Sequence, residues 1–139
     1  MAKTFHLAIP VTGDLNKTIE FYCKVLGCKK GNSENHPFYS WCDIDFWGNE
    51  LTLHATSPRD GKSLERERYS VDMGDVCIPH FGIHLSLYHY NIVKDMVQAR
   101  AKFLDTPYTR FKNTNYQQET FFVEDPNYNV LEIKSMVKK

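Results

Sequence analysis

Histidine and carboxylate side chains stand at positions of this 139-residue sequence where they could bind a metal ion. His6 and His80 each open a segment in which large apolar residues alternate with small or polar ones, and Glu132 lies between Leu131 and Ile133. This alternation is typical of half-buried strands, whose successive side chains point to opposite faces. Two imidazoles and one carboxylate on strands can form a facial metal site with open positions for a substrate. Fe²⁺, Mn²⁺, Ni²⁺ and Zn²⁺ all accept these ligands, so the residue types do not select the metal.

The same alternation predicts further polar residues on the face that helices do not cover. In the segment 50–55 the two leucines are expected to be core, which leaves Thr52 and His54 on the opposite face. His84 shares that face with His80 by the same rule. His54 is open to three roles, as a metal ligand, a general base or a cavity-lining donor. We take it as the candidate catalytic base because an imidazole titrates near neutral pH, and we take Thr52 and His84 as candidate substrate contacts.

The elements that must position these residues occur twice, in the order strand, helix and three strands. The first helix is expected from an N-cap at Asp14 to Gly27, which stands where a glycine commonly ends a helix. The second helix is expected over 90–103. The predicted strands cover 5–9, 29–32, 39–45 and 50–55 in the first half, and 81–87, 108–112, 120–124 and 130–136 in the second.

Local matches between the two halves support a duplicated architecture. His6 and His80 open similar segments 74 residues apart, and Asp45 and Asp125 open similar segments 80 residues apart. We therefore expect a single domain, 1–139, with one module over 1–56 and a second over 80–139. The polar stretch 57–79 between them is expected to be an exposed short helix or a mobile connection.

Charge and composition exclude several classes of protein. The 17 basic and 17 acidic residues cancel, which argues against a sequence-independent nucleic-acid binder. No apolar run approaches the roughly 20 residues of a membrane span, and the amino terminus has no signal-peptide core. The four cysteines form no C-x-x-C pair and are expected to be reduced thiols. A cytoplasmic protein that binds neither nucleic acid nor membrane is the prediction.

Two motifs resemble the vicinal oxygen chelate superfamily, which includes glyoxalase I, extradiol ring-cleaving dioxygenases and the fosfomycin and bleomycin resistance proteins. The segment 14–27 is similar to the family's first helix, which commonly ends F-Y-x-x-x-L-G. The segment 124–132 is similar to the closing D-P-x-G-x-x-x-E motif, with Tyr128 in place of the usual glycine. The resemblance implies an α+β fold of two βαβββ modules that form a curved mixed sheet around a metal cup, often completed in a homodimer. It also implies that His6, His80 and Glu132 are the ligands of a divalent metal ion.

Other family positions leave alternatives open. Glu50 stands in an E-L-T segment like that of glyoxalase I, whereas the 80-residue offset makes Thr52 the counterpart of Glu132. His54 could substitute as a fourth ligand. The ring-cleaving signature has a tyrosine where this chain has Phe122, and Tyr116 or His54 could compensate in substrate binding.

The leading hypothesis is a metal-dependent enzyme of the glyoxalase or extradiol dioxygenase type. Its substrate would be a small diol, hydroxy-ketone or dicarbonyl that chelates the metal through adjacent oxygens. The alternative is a metal-free small-molecule-binding protein of the antibiotic-resistance type, and a module without activity is a third reading. In the binding protein, four aromatic residues could line the cleft, although packing in the core is the more common role of such side chains: Phe38, Tyr39, Trp41 and Trp47.

Overall fold

The structure is a computed structural model that describes residues 4–37, 39–56, 68–71, 74–77 and 79–137. The chain divides into two compact units, Met1–Glu65 and Arg66–Lys139, and each is described by itself below. No helix in the described ranges is long and apolar enough to cross a membrane.

The first unit is a four-stranded mixed sheet with one helical segment. The sheet order is β1-β4-β3-β2, in which β1 and β4 are parallel and the other pairs are antiparallel. Its elements are β1 (His6–Val11), α1 (Leu15–Glu20), β2 (Lys29–Asn35), β3 (Ser40–Phe46) and β4 (Asn49–Ala55).

The second unit repeats this arrangement and adds a two-stranded antiparallel sheet. The four-stranded sheet has the order β7-β10-β9-β8, with β7 and β10 parallel. The elements are β5 (Arg68–Val71), β6 (Gly74–Cys77), β7 (Phe81–Leu85), α2 (Leu87–Arg100), β8 (Asp105–Arg110), β9 (Gln118–Glu124) and β10 (Val130–Met136). The predicted α+β class and the twofold strand–helix–three-strand order are therefore confirmed.

Two helical details differ from the sequence prediction. The first helix changes from α to π after Glu20, so that Phe21–Val25 forms one wide turn closed by Leu26 N donating to the Phe21 oxygen over 3.1 Å. Spacing of apolar residues does not distinguish these two helix types. The second helix begins at Leu87, three residues earlier than predicted. Ser86, which was expected on a strand, caps it by accepting a hydrogen bond from His89 N.

The segment between the modules also differs from the prediction. Residues 57–67 lie outside the described part of the chain, but β5 and β6 pair as strands instead of forming a helix or an irregular connection. Arg68 on β5 forms an ion pair with Glu124 on β9, so this pair of strands is joined to the main sheet of its unit. The Arg68 side chain is thus partly buried in this ion pair.

Alternating burial confirms which strand face is core in the first unit. Ile9, Val11, Leu51 and Leu53 are buried, whereas His6, Ala8, Glu50 and His54 are exposed or half-exposed on the other face. Phe5, which was predicted to begin the first strand, precedes it instead and is 65% exposed.

The cysteines whose side chains are described, at positions 23, 28 and 42, are free thiols, as predicted. Burial, with smaller contributions from Cys23 and Asp45, raises the pKa of the Cys28 thiol to about 12. This thiol is therefore neutral at physiological pH and belongs to the core.

Candidate metal centre

The second unit brings together two of the predicted metal ligands. Glu132 is on β10, where its register partner on β7 is Gly82, and His80 immediately precedes β7. His80 Nε2 lies 3.6 Å from Glu132 Oε2. The carboxylate is buried, with 8% of its side chain exposed, and the imidazole is 22% exposed. An imidazole and a buried carboxylate therefore face each other on the side of the sheet opposite to α2.

Gly82 allows this close approach of β7 to β10. A Cβ atom at residue 82 would lie 1.9 Å from the carbonyl oxygen of Glu132, a distance that no side chain can occupy. The absence of a side chain is thus what lets the backbone carrying His80 approach the backbone carrying Glu132. The rings of His80 and Phe122 also pack in a T-shaped contact, with ring centroids 5.2 Å apart and planes at 86°.

The turn before β10 fixes where Glu132 lies along the strand. Asp125 Oδ1 accepts hydrogen bonds from Asn127 N at 2.7 Å and from Asn129 N at 3.0 Å, and Asn129 Nδ2 donates to Asp125 Oδ2 at 2.9 Å. Tyr128 has a φ of 64°, in the left-handed region. This explains the glycine of the family motif, since glycine adopts that conformation without strain.

Lys134 is a cation beside the buried carboxylate that sequence reasoning did not single out. Its Nζ lies 2.7 Å from Glu132 Oε1, although the approach does not have hydrogen-bond geometry, so Oε1 has no hydrogen-bond partner in the described residues. The signal was present in the sequence, because Glu132 and Lys134 are two residues apart and share a strand face.

In the first unit, His6 pairs with Glu50. These residues are register partners on β1 and β4, and His6 Nδ1 lies 2.7 Å from Glu50 Oε1. A carboxylate on Nδ1 orients the ring and leaves Nε2 available, an arrangement that many metal-binding histidines share. A cavity of about 310 Å³ adjoins Glu50, and its lining residues are Thr4, Gly31, Asn32, Asp43, Ile44, Asp45, Gly48, Asn49 and Glu50.

The remaining candidate residues of the first unit lie farther along β4. Thr52 donates a hydrogen bond to Asp43 Oδ1 at 2.7 Å, so its hydroxyl proton is already used within the sheet. His54 is exposed, and its register partner on β1 is Pro10. Four strand positions separate Pro10 from His6, which places His54 ~13 Å along the sheet from the His6–Glu50 pair.

The remaining candidates of the second unit are placed differently from each other. His84 is exposed on β7, where its register partner is Lys134, and it therefore neighbours the row that contains Glu132. Tyr116 is 70% exposed and lies before β9, in the loop that follows β8. The residue at that end of β9, Gln118, pairs with Met136, four positions from Glu132, so Tyr116 is more than ~13 Å along the strands from the buried carboxylate.

The aromatic residues proposed for a binding cleft do not share one site. Trp41 lines a cavity of about 400 Å³ in the first unit, beside Leu15 and Ile19. Tyr39 stacks on His36, and Trp47 packs edge-on against Phe46. Phe38 lies outside the described residues.

The donor chemistry of the His80–Glu132 pair fits a divalent metal. Two ligand atoms bound at 2.0–2.2 Å to one ion stand roughly 3–3.5 Å apart, close to the 3.6 Å between His80 Nε2 and Glu132 Oε2. Glu132 Oε1 already lies 2.7 Å from the Lys134 ammonium, so Oε2, which faces His80, is the oxygen left to bind a metal. Within the described ranges, no three His, Cys, Asp or Glu side chains are grouped so as to hold a metal.

The comparisons with known proteins agree with the duplicated fold and its motifs. The model of the Glyoxalase/Bleomycin resistance protein/Dioxygenase superfamily matches residues 4–133, and the chain belongs to this superfamily. No curated protein matches the chain.

Solved structures with the same fold cover nearly the whole chain. A glyoxalase/bleomycin resistance protein/dioxygenase from Alicyclobacillus acidocaldarius is 30% identical with a TM-score of 0.73, over 98% of this chain and 92% of that one. The fosfomycin resistance protein FosX from Listeria monocytogenes is 15% identical with a TM-score of 0.65, over 97% and 93% of the two chains. A further FosX structure is a complex with Mn(II) and a sulfate ion; it is 13% identical with a TM-score of 0.63, over the same 97% and 93%.

Proposed function

We propose that this protein is a metal-dependent enzyme that acts on a small substrate with adjacent oxygens, such as a diol, a hydroxy-ketone or a dicarbonyl. The observation that supports this most directly is the His80–Glu132 pair, an imidazole nitrogen 3.6 Å from a buried carboxylate oxygen. The resemblance to the superfamily motif adds His6 to the proposed ligands. The Mn(II) complex of FosX shows that one protein with this fold binds such an ion.

Individual residues have separate roles in the proposed function. A divalent metal, when bound, polarises the substrate oxygens as a Lewis acid. His80 is oriented by its edge-on contact with Phe122, and Glu50 orients His6 through Nδ1. His54 remains the candidate base, because it is an exposed imidazole on the polar face of the first unit.

Metal analysis of protein purified without chelators tests the proposal. We expect about one divalent ion per chain in the wild type and loss of most of it in His80→Ala and Glu132→Ala. His89→Ala, which removes an exposed imidazole at the start of α2, is the matched control and should retain the metal. A wild-type chain without a bound divalent ion, or ligand variants that bind metal like the wild type, would overturn the proposal.

Activity assays then separate the chemical branches. Ring cleavage of a catechol by the iron form favours the dioxygenase branch, and isomerisation of a hemithioacetal by the nickel or zinc form favours the glyoxalase branch. His54→Ala should abolish turnover and leave the metal content unchanged, with His36→Ala as its control. If His54→Ala loses the metal instead, residue 54 is a ligand and not the base.

A metal-free binding protein is the second candidate, and the cavity beside Trp41 favours it. A cavity of about 400 Å³ lined by an indole is large enough for a small aromatic ligand. Quenching of tryptophan fluorescence by such a ligand in chelator-treated protein, with loss of the effect in Trp41→Leu, would support this candidate. Trp47→Leu serves as the control.

A further inference from the structure

A second row of polar side chains lies next to Glu132 on the sheet of the second unit. His84, Lys134 and Thr120 are successive register partners on β7, β10 and β9. Tyr108 on β8 continues the row as the register partner of Thr120. Neighbours in such a row have Cβ atoms about 5 Å apart. The row is two residues along β10 from Glu132, which corresponds to ~7 Å.

Lys134 supplies this row with a positive charge, which is ion-paired with the buried Glu132 carboxylate. Its side chain is only 25% exposed, which weakens screening by water. Nζ lies at ion-pair distance from Glu132 Oε1 but outside hydrogen-bond geometry. An ammonium group has three N–H donors, so Lys134 retains donors for an oxygen of a ligand.

The buried hydroxyl of Thr120 gives independent support for a ligand-binding site in this row. Its side chain has no exposed surface, and Oγ1 has no hydrogen-bond partner in the part of the chain that the structure describes. Buried hydroxyl groups are normally hydrogen-bonded, and an exception calls for an explanation such as a missing ligand. Strand alternation places this hydroxyl on the same face as Lys134, its register partner.

We propose that Lys134 and Thr120, with His84 at the open end of the row, bind an oxyanion of the substrate. The ammonium and the hydroxyl are both hydrogen-bond donors that suit a carboxylate or a phosphonate. This inference rests on the proposed function in one respect, namely that the oxyanion belongs to the molecule that chelates the metal. The substrate class is thereby narrowed to compounds that carry an acidic group close to the adjacent oxygens, because Lys134 Nζ lies 2.7 Å from Glu132 Oε1.

Titration calorimetry with inorganic phosphate and with acetate tests the row, using both metal-free protein and protein loaded with Mn²⁺. We expect binding of at least one probe that is about tenfold weaker in Lys134→Met and about threefold weaker in Thr120→Val. Lys134→Arg should retain binding because it keeps the charge. Lys102→Met, which removes an exposed lysine elsewhere in the unit, should bind like the wild type.

The two probes and the metal titration separate the outcomes. Tighter binding of phosphate indicates a phosphonate or phosphate substrate, and tighter binding of acetate indicates a carboxylate. The proposal of an oxyanion site in this row is overturned if neither probe binds the wild type, or if Lys134→Met binds the probes equally well. If Mn²⁺ does not bind but probe binding still depends on Lys134, the row stands and the proposed function fails. If Mn²⁺ binds and probe binding is independent of Lys134, the proposed function stands and the row fails.

Discussion

At the scale of single residues, the position of Tyr128 is set by backbone conformation. Its φ of 64° is unfavourable for a side chain with a Cβ atom, and the aromatic ring is 44% exposed, so little packing offsets the strain. The superfamily motif has glycine at this place for the same conformational reason. Tyr128 therefore marks a residue whose identity lowers the stability of the turn before β10.

Replacement of Tyr128 by glycine should stabilise the protein. We expect a gain of about 1 kcal/mol in the free energy of unfolding, because relief of left-handed strain exceeds the entropy that glycine adds to the unfolded chain. Urea denaturation measures this difference. Tyr128→Ala is the control and should show no gain, since alanine retains the strained Cβ. A Tyr128→Gly variant that is less stable than the wild type would contradict this explanation.

Some residue-scale features could be predicted from sequence, and others could not. The alternation of apolar residues placed His80 and Glu132 on one face because strand periodicity is local. Burial of Glu132 and its pairing with Lys134 depend on the tertiary packing around them. The engagement of Thr52 by Asp43 depends on the register of β3 against β4, which apolar alternation in one strand does not fix.

At the scale of elements, Gly82 controls the separation of β7 and β10. A side chain at this position would overlap the Glu132 carbonyl oxygen at 1.9 Å, so the two strands would have to move apart. The contact between His80 and Glu132 crosses this same strand pair. Strand separation and ligand geometry are therefore coupled.

Gly82→Ala should destabilise the fold and weaken metal binding together. We expect a loss of about 3 kcal/mol in unfolding free energy, since the clash is with backbone and cannot be relieved by a rotamer change. Ala8→Gly is the matched control at the equivalent position of β1 and should cost no more than about 1 kcal/mol. Denaturation and metal titration of both variants provide the measurement. A Gly82→Ala protein of wild-type stability would show that the strand pair tolerates a wider spacing.

Helices and strands were predicted correctly where apolar residues recur periodically, and incorrectly where hydrogen bonds determine the backbone conformation. The strand β10 was predicted with its observed ends, Val130–Met136. The π-helical turn over Phe21–Val25 arises from a hydrogen bond between residues five apart, which leaves no mark in the apolar spacing. The strands β5 and β6 occupy a polar segment without clear alternation, so local sequence favoured a connection.

At the scale of the whole molecule, the balance of charge is informative. The 17 acidic and 17 basic residues give no net field to attract a divalent cation over long distances. The proposed metal affinity would therefore have to arise from local ligands. Membership in the superfamily could be recognised from two motifs. The sequence does not identify the metal, because imidazole and carboxylate ligands suit several ions, and it does not identify the substrate.

Metal binding should stabilise the folded chain. A ligand that binds only the native state at 100 times its Kd adds about 2.7 kcal/mol, which is a shift of several degrees in Tm. We expect this increase on addition of Mn²⁺, its reversal by a chelator and its absence in Glu132→Ala. Differential scanning calorimetry measures all three. An equal shift in Glu132→Ala would place the bound metal elsewhere on the protein.

The hydrogen bond from Thr52 to Asp43 has a consequence for the symmetry of the duplicated chain. Thr52 stands where the second half has its buried acid, so the two halves have diverged at the position that matters most for chemistry. A glutamate introduced at residue 52 would bring two like charges together across β3 and β4, where Asp43 is the register partner. An engineer who wished to give both halves an acid would have to change Asp43 in the same step. Asp43 therefore disfavours an acidic residue at position 52 and helps to maintain the difference between the two halves.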